Sequence, residues 1–150
     1  MGYYITGHGQ LKVKAEDLDK AYQAMLTLQD RNDLKSGGSW SGGQETEKWY
    51  SWMPADLRTI PSAAAMFREL GFELDEGDDG ITIYSYDSKI GDERHFFAAA
   101  APYIQGEFEW TGEDGEFWRW TFHSGRMMEA FGIKAYDHAQ YVNVPERRDA

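Results

Sequence analysis

Cysteine is absent from this chain of 150 residues. Disulfide staples, iron–sulfur clusters and thiolate zinc sites are therefore excluded. Proline is scarce, with 4 residues, so few positions force a break in a helix or strand. No apolar run approaches the roughly 18 residues of a membrane-spanning helix. Residues 1–5, Met-Gly-Tyr-Tyr-Ile, lack the basic and apolar regions of a secretory signal. The expectation is a soluble cytoplasmic protein with no membrane partner. Positive charge is also in short supply: 15 Lys and Arg stand against 26 Asp and Glu, for a net charge of −11. Such a surface repels phosphate backbones, disfavours direct nucleic-acid binding and attracts a basic partner.

What the chain does have is apolar and aromatic surface to bury. Hydrophobic residues make up 41% and aromatics 15%, too much for a disordered chain. The length suits one domain over 1–150, burying roughly 69% of its unfolded surface. Residues 3–14 alternate, with Tyr3, Ile5, Gly7, Gly9, Leu11 and Val13 on one face, which predicts a half-buried strand. Gly7 and Gly9 on that inner face predict a bulge or the close approach of a helix. Helical spacing follows over 17–31, from Leu18 through Ala21, Tyr22 and Met25 to Leu28.

Residues 32–47 contain Ser36-Gly37-Gly38-Ser39-Trp40-Ser41-Gly42-Gly43. Four glycines and three serines around one indole predict a flexible loop. A strand is predicted over 48–53, stopped by Pro54. A second helix runs to Leu70, opened by Pro61 and Ser62, with Gly71 as its left-handed cap. Residues 72–74 and 81–86 form a hairpin around 75–80, and a third helix over 91–101 stops at Pro102.

The segment 107–122 is the most fully specified. A three-residue loop with Gly115 left-handed pairs Gly112 with Glu116. Trp110 then faces Trp118, Phe108 faces Trp120, and Glu109 pairs with Arg119 on the other face. Ser124-Gly125 turns into a last strand over 126–130, 141–144 is a candidate edge strand, and 145–150 is a frayed tail. Helices and strands alternate early and hairpins follow. The expected fold is α+β: a mainly antiparallel twisted sheet with about three helices on one face.

No catalytic constellation stands out. His8, His95, His123 and His138 show no metal-ligand spacing, and no nucleophile elbow occurs. Neither a metal nor a cofactor is expected. The acidic clusters at 75–79 and 113–116 read as solvated turns. Asp87-Ser88-Lys89-Ile90-Gly91-Asp92 joins a strand to a helix. Backbone N–H groups there, with Lys89, suit an anionic small molecule, although capping alone explains Asp92. Trp40 reads either as an interface anchor or as a ring folded back on its own domain.

Taken with Ala101-Pro102-Tyr103-Ile104 and 112–122, Gly-Glu-Asp-Gly-Glu-Phe-Trp-Arg-Trp-Thr-Phe, the Lys89-Ile90-Gly91-Asp92 turn gives the segment 71–130 a likeness. It resembles a group of small uncharacterised proteins of actinobacteria and their phages or mobile elements. The resemblance implies a mobile-element origin and nothing catalytic.

The leading expectation is a non-enzymatic acidic protein that binds, and inhibits, a basic host protein such as a nucleic-acid-binding or defence enzyme. Trp40, Glu76, Asp78, Asp79, Glu113 and Asp114 are its candidate contacts. The alternative is a binder of a small ligand such as a nucleotide signal, through Asp87, Lys89, Gly91 and Asp92. A small hydrolase using Asp87, Asp92 or His95 ranks third.

Overall fold

The alternating segment at the start of the chain becomes the strand on which the sheet is built. In a computed structural model, which describes residues 2–132, this strand β1 spans Tyr4–Lys14. Ile5, Gly7, Leu11 and Val13 are buried, while Tyr4, Thr6, His8 and Gln10 are exposed. Later strands flank β1 on both sides: β5 (Gly80–Lys89) and β6 (Gln105–Gly112), each antiparallel to it. Outside β5 lies β4 (Phe72–Gly77), and outside β6 lie β7 (Phe117–His123) and β8 (Arg126–Gly132). The order β4-β5-β1-β6-β7-β8 is an antiparallel sheet of six strands.

The glycines of β1 do what their inward position demands. The β1–β5 register shifts between His8 and Leu11, which is the expected bulge. The close approach comes from neighbouring rings rather than from a helix. A Cβ on Gly7 would lie 2.3 Å from the Phe108 ring and 2.7 Å from that of Trp110.

Three helices cover the apolar face: α1 (Leu18–Leu26), α2 (Ala63–Leu70) and α3 (Glu93–Ala100). Ser62 caps α2 by accepting from the Ala65 N–H at 3.1 Å, and Gly71 ends it at φ 111°. Helix α1 buries Ala21 and Met25, α2 buries Met66, Phe67 and Leu70, and α3 buries Phe96, Phe97 and Ala100. Beneath them Phe72, Phe97, Phe108, Trp110 and Trp120 pack ring on ring, with centroids 4.7 Å apart for Phe72–Phe97 and 4.9 Å for Trp110–Trp120. Each such pair adds about 0.5–1.5 kcal/mol beyond its buried area. The fold is α+β, as expected.

Three sequence expectations need correcting. The loop expected over 32–47 contains most of a hairpin instead, β2 (Gly37–Ser41) paired with β3 (Gln44–Trp49). Gly42 and Gly43, at φ 60° and 80°, form the two-residue turn that favours such a ribbon. The strand expected over 48–53 ends at Trp49, because the chain turns and Tyr50 plunges into the core against Phe96. The β4–β5 turn is tighter than 75–80: Asp75 and Glu76 remain paired, and only Asp78 and Asp79 lie between the strands. The candidate edge strand at 141–144, the tail at 145–150 and His138 lie outside the described residues.

Candidate functional site

The hairpin registers decide which side chains meet at the end of the sheet. The 107–122 register is as expected, with Trp110 opposite Trp118 and Glu109 opposite Arg119. Gly112 N–H donates to the Glu116 carbonyl at 2.7 Å, and Gly115 has φ 89°. The next turn, Ser124-Gly125, sets Trp120 opposite Glu129 and Trp118 opposite Phe131. The inner face thus carries three indoles and one carboxylate in a block. Trp110 and Trp118 stack, with centroids 6.0 Å apart and planes within 13°. Trp120 donates its Nε1–H to Glu129 Oε2 at 3.0 Å.

Helix α3 starts just above this block and leaves a cleft of about 590 Å³ beneath its first turn. That volume is in the range of small-molecule and side-chain pockets. Tyr3, Ile5, Ile90 and Phe131 complete the apolar wall. The polar lining is mostly acidic: Asp92, Glu93, Glu116 and Glu129 stand against Arg94 and His95. A neighbouring cavity of about 550 Å³ shares Trp110, Trp118 and Phe131 as a common wall.

Glu93 is the most unusual of these groups, being only 2% exposed. Its Oε2 accepts from the Gly91 N–H at 2.9 Å. Burial pushes its carboxyl up to about 7, and the neighbouring charge of Asp92 adds to the rise. The N–H groups of Gly91 and of Glu93 itself pull the other way. Glu129 is held differently. Arg94 lays its Nε–H across both carboxylate oxygens, at 3.2 and 3.1 Å. Trp110 contributes a third feature. It is 1% exposed, and its Nε1–H has no acceptor among the described residues. A buried, unpaired donor costs about 1–3 kcal/mol.

Asp92 holds the site to the β2–β3 hairpin. It occupies the N-cap position of α3, yet its side chain does not cap the helix. Its Oδ2 instead accepts from Ser36 Oγ at 2.7 Å, Ser36 N–H at 3.2 Å and Ser51 N–H at 2.9 Å. Ser36 precedes β2 and Ser51 follows β3, so one carboxylate fastens both legs of the hairpin.

The residues singled out from sequence are distributed as follows. Gly91 and Asp92 line the cleft, whereas Asp87 and Lys89 belong to β5, paired with Thr6 and Tyr4, rather than to the turn expected before α3, and are not among its lining residues. The Gly91 N–H, expected to meet an anion, already meets the Glu93 carboxylate. The two acidic turns sit at opposite ends of β1: Lys14 pairs with Gly80 at one end, and Ile5 pairs with Gly112 at the other. Glu76 is bonded to Arg68 at 2.7 Å, Asp79 is bonded to Lys12, and Asp114 accepts from the Tyr3 hydroxyl. Asp78 and Glu113 are exposed. Trp40 stands 67% exposed on β2, opposite Glu45. Among the described residues no three His, Asp or Glu side chains gather to hold a metal, and no helix is long and apolar enough to cross a membrane.

Sequence reasoning missed Glu93, Arg94 and Glu129. Glu129 had a readable signal, since the two-residue turn at Ser124-Gly125 places an acid on an otherwise apolar strand face. No family model matches the chain, and no curated protein or solved structure does either.

Proposed function

We propose that this chain is a non-enzymatic binding protein for a basic protein partner, and that the indole-lined cleft below α3 is where the partner is gripped. The observation that carries this reading is the cleft's lining: the carboxylates of Asp92, Glu116 and Glu129 stand on a largely apolar wall against one arginine and one histidine. Carboxylates attract cations, and the attraction gains strength where water is thinned out. The net charge of −11 speeds encounter with a positive surface. In the mobile-element setting that the resemblance implies, the partner is a host nucleic-acid-binding or defence enzyme. Covering its basic face excludes nucleic acid from the same surface.

The volume of the cleft also suits a small ligand, which is the second reading. The carboxylates disfavour nucleotide phosphates in that role.

The test is titration of the protein with a basic peptide, an acidic peptide of equal length and a nucleotide panel, followed by tryptophan fluorescence. The basic peptide alone is expected to bind, with affinity falling steeply as salt is raised through about 0.1 M. Binding of a nucleotide with silence from the basic peptide overturns the reading.

A further inference from the structure

We infer that the open edge of β8 is the docking site of this chain's own residues 141–144, which pair with it as a seventh strand and cover Phe131. The placement does not depend on what the cleft binds.

Among the described residues the sheet ends in two edge strands, β4 and β8, and they are not alike. Glu73, Asp75 and Glu76 stand exposed along β4. Charges of this kind discourage a further strand from pairing. Between Met127 and Gly132, β8 has only one charge, that of Glu129. Glu129 lies opposite Trp120 on the inner face, and both Arg94 and the Trp120 Nε1–H already donate to it. Phe131 and Met128 stand 75% and 65% exposed. An edge with no outward charge and with exposed apolar side chains is a template for one more strand.

A second copy fits this edge poorly. The two-fold pairing that uses the whole of β8 sets Glu129 opposite its own counterpart, and like charges directly opposite destabilise a ladder. A strand from another protein competes with a segment tethered to Gly132, whose effective concentration is about millimolar. That segment has the composition of a strand. Tyr141, Val142 and Val144 favour extended backbone, and Pro145 ends it. Residues 133–140 give the chain room to reverse, which makes the pairing antiparallel. Alternation then fixes the register. With Val142 opposite Phe131, both valines fall on the inner face, and Asn143 falls opposite Ala130 on the outer one. A slip of one residue turns the valines to water. The slip of two that brings Val144 to Phe131 also brings Glu146 opposite Glu129. Phe131 lines the cleft below α3, so a strand laid beside it borders that cleft.

The test is amide hydrogen exchange on the full chain, read residue by residue by NMR, for wild type, Val142→Asp and Asn143→Asp. In wild type the amides of 141–144 are expected to exchange at least about tenfold more slowly than in an unstructured chain, at a rate independent of protein concentration. The Val142 methyls are expected to show Overhauser contacts to the Phe131 ring. Val142→Asp is expected to remove the protection of 141–144 and to speed exchange along β8. Asn143→Asp, on the outer face, is expected to change neither. The amides of β1 and β6 report in each variant that the sheet is folded. Exchange of wild-type 141–144 at unstructured rates overturns the inference. So does protection without the Phe131 contacts, or protection that survives Val142→Asp. Equal loss in Asn143→Asp overturns the register. Protection that grows with protein concentration also overturns the inference, and gives the edge to a second copy.

Discussion

Gly7 stands opposite Trp110 across the β1–β6 pair, and the space that a side chain would occupy at Gly7 is filled by the Trp110 and Phe108 rings. The glycine is therefore required by contact rather than by backbone conformation. The same indole that fills its place also forms the back wall of the cleft. Gly7→Ala is expected to destabilise the fold by about 1–3 kcal/mol, since the added methyl must push two packed rings aside. Urea unfolding monitored by fluorescence reads this as a lower midpoint at unchanged slope. An unchanged midpoint would show that the rings yield freely.

Glu93 makes stability depend on pH in a defined window. Its carboxyl titrates at about 7 in the folded chain, against an ordinary value of 4.5. Between these values the folded chain keeps a proton that the unfolded chain has lost. The contribution is therefore complete below about pH 4.5 and is lost as pH rises through about 7. Near pH 8 the buried carboxylate costs on the order of 3 kcal/mol. The carboxylates of Asp33, Asp56, Asp79 and Asp114 are held low by Arg31, Arg58, Lys12 and Tyr3, so their contributions are lost only in stronger acid. Glu93→Gln keeps an acceptor for the Gly91 N–H and removes the charge. Its melting temperature is expected to match wild type near pH 4.5 and to exceed it at about pH 8. A gap between the two proteins that stays constant with pH would contradict this assignment.

The turn between β7 and β8 is improvable. Ser124 has φ 53° and Gly125 φ 76°, the left-handed pair that Asn-Gly adopts most readily. Ser124→Asn is expected to stabilise by roughly 0.5 kcal/mol, while Ser124→Val, which resists positive φ, destabilises. Parallel denaturant titrations of the two variants check the order.

The β2–β3 hairpin depends on its turn glycines. Replacing both Gly42 and Gly43 by alanine forces side chains into positive φ and is expected to cost about 1–2 kcal/mol per position. Hydrogen exchange should then show faster exchange of the amides between Gly37 and Trp49. Those of β1, β5 and β6 should keep their protection. Trp40→Ala, at an exposed position, should leave the melting temperature unchanged.

These residues also show where sequence reading succeeds. The Trp110–Trp118 and Glu109–Arg119 pairs were legible because turn chemistry and alternation demanded the same register. The cap at Ser62 and the left-handed Gly71 were legible for a similar reason, as each is a local conformational requirement. The β2–β3 hairpin was not. Its strands are poor in β-formers, and the Gly-Gly that closes them was weighed as flexibility rather than as a turn. The cleft was hidden for a different reason. Tyr3, Glu93, Trp118 and Glu129 come from four segments, and only the sheet order brings them together. Glu93 was further disguised, because an acid in the first turn of a helix ordinarily sits in water beside the helix dipole.

The position of β1 in the sheet has a consequence for biosynthesis. This early strand takes both of its neighbours from residues 80–89 and 105–112. At about 5–20 residues per second, a ribosome needs roughly 4–15 seconds between completing β1 and completing β5, the first of these neighbours to be made. For that interval Ile5, Leu11 and Val13 have no sheet to enter. Lys12 and Lys14, on the opposite side of the nascent strand, are the charges that discourage it from pairing with a neighbouring polypeptide while it waits.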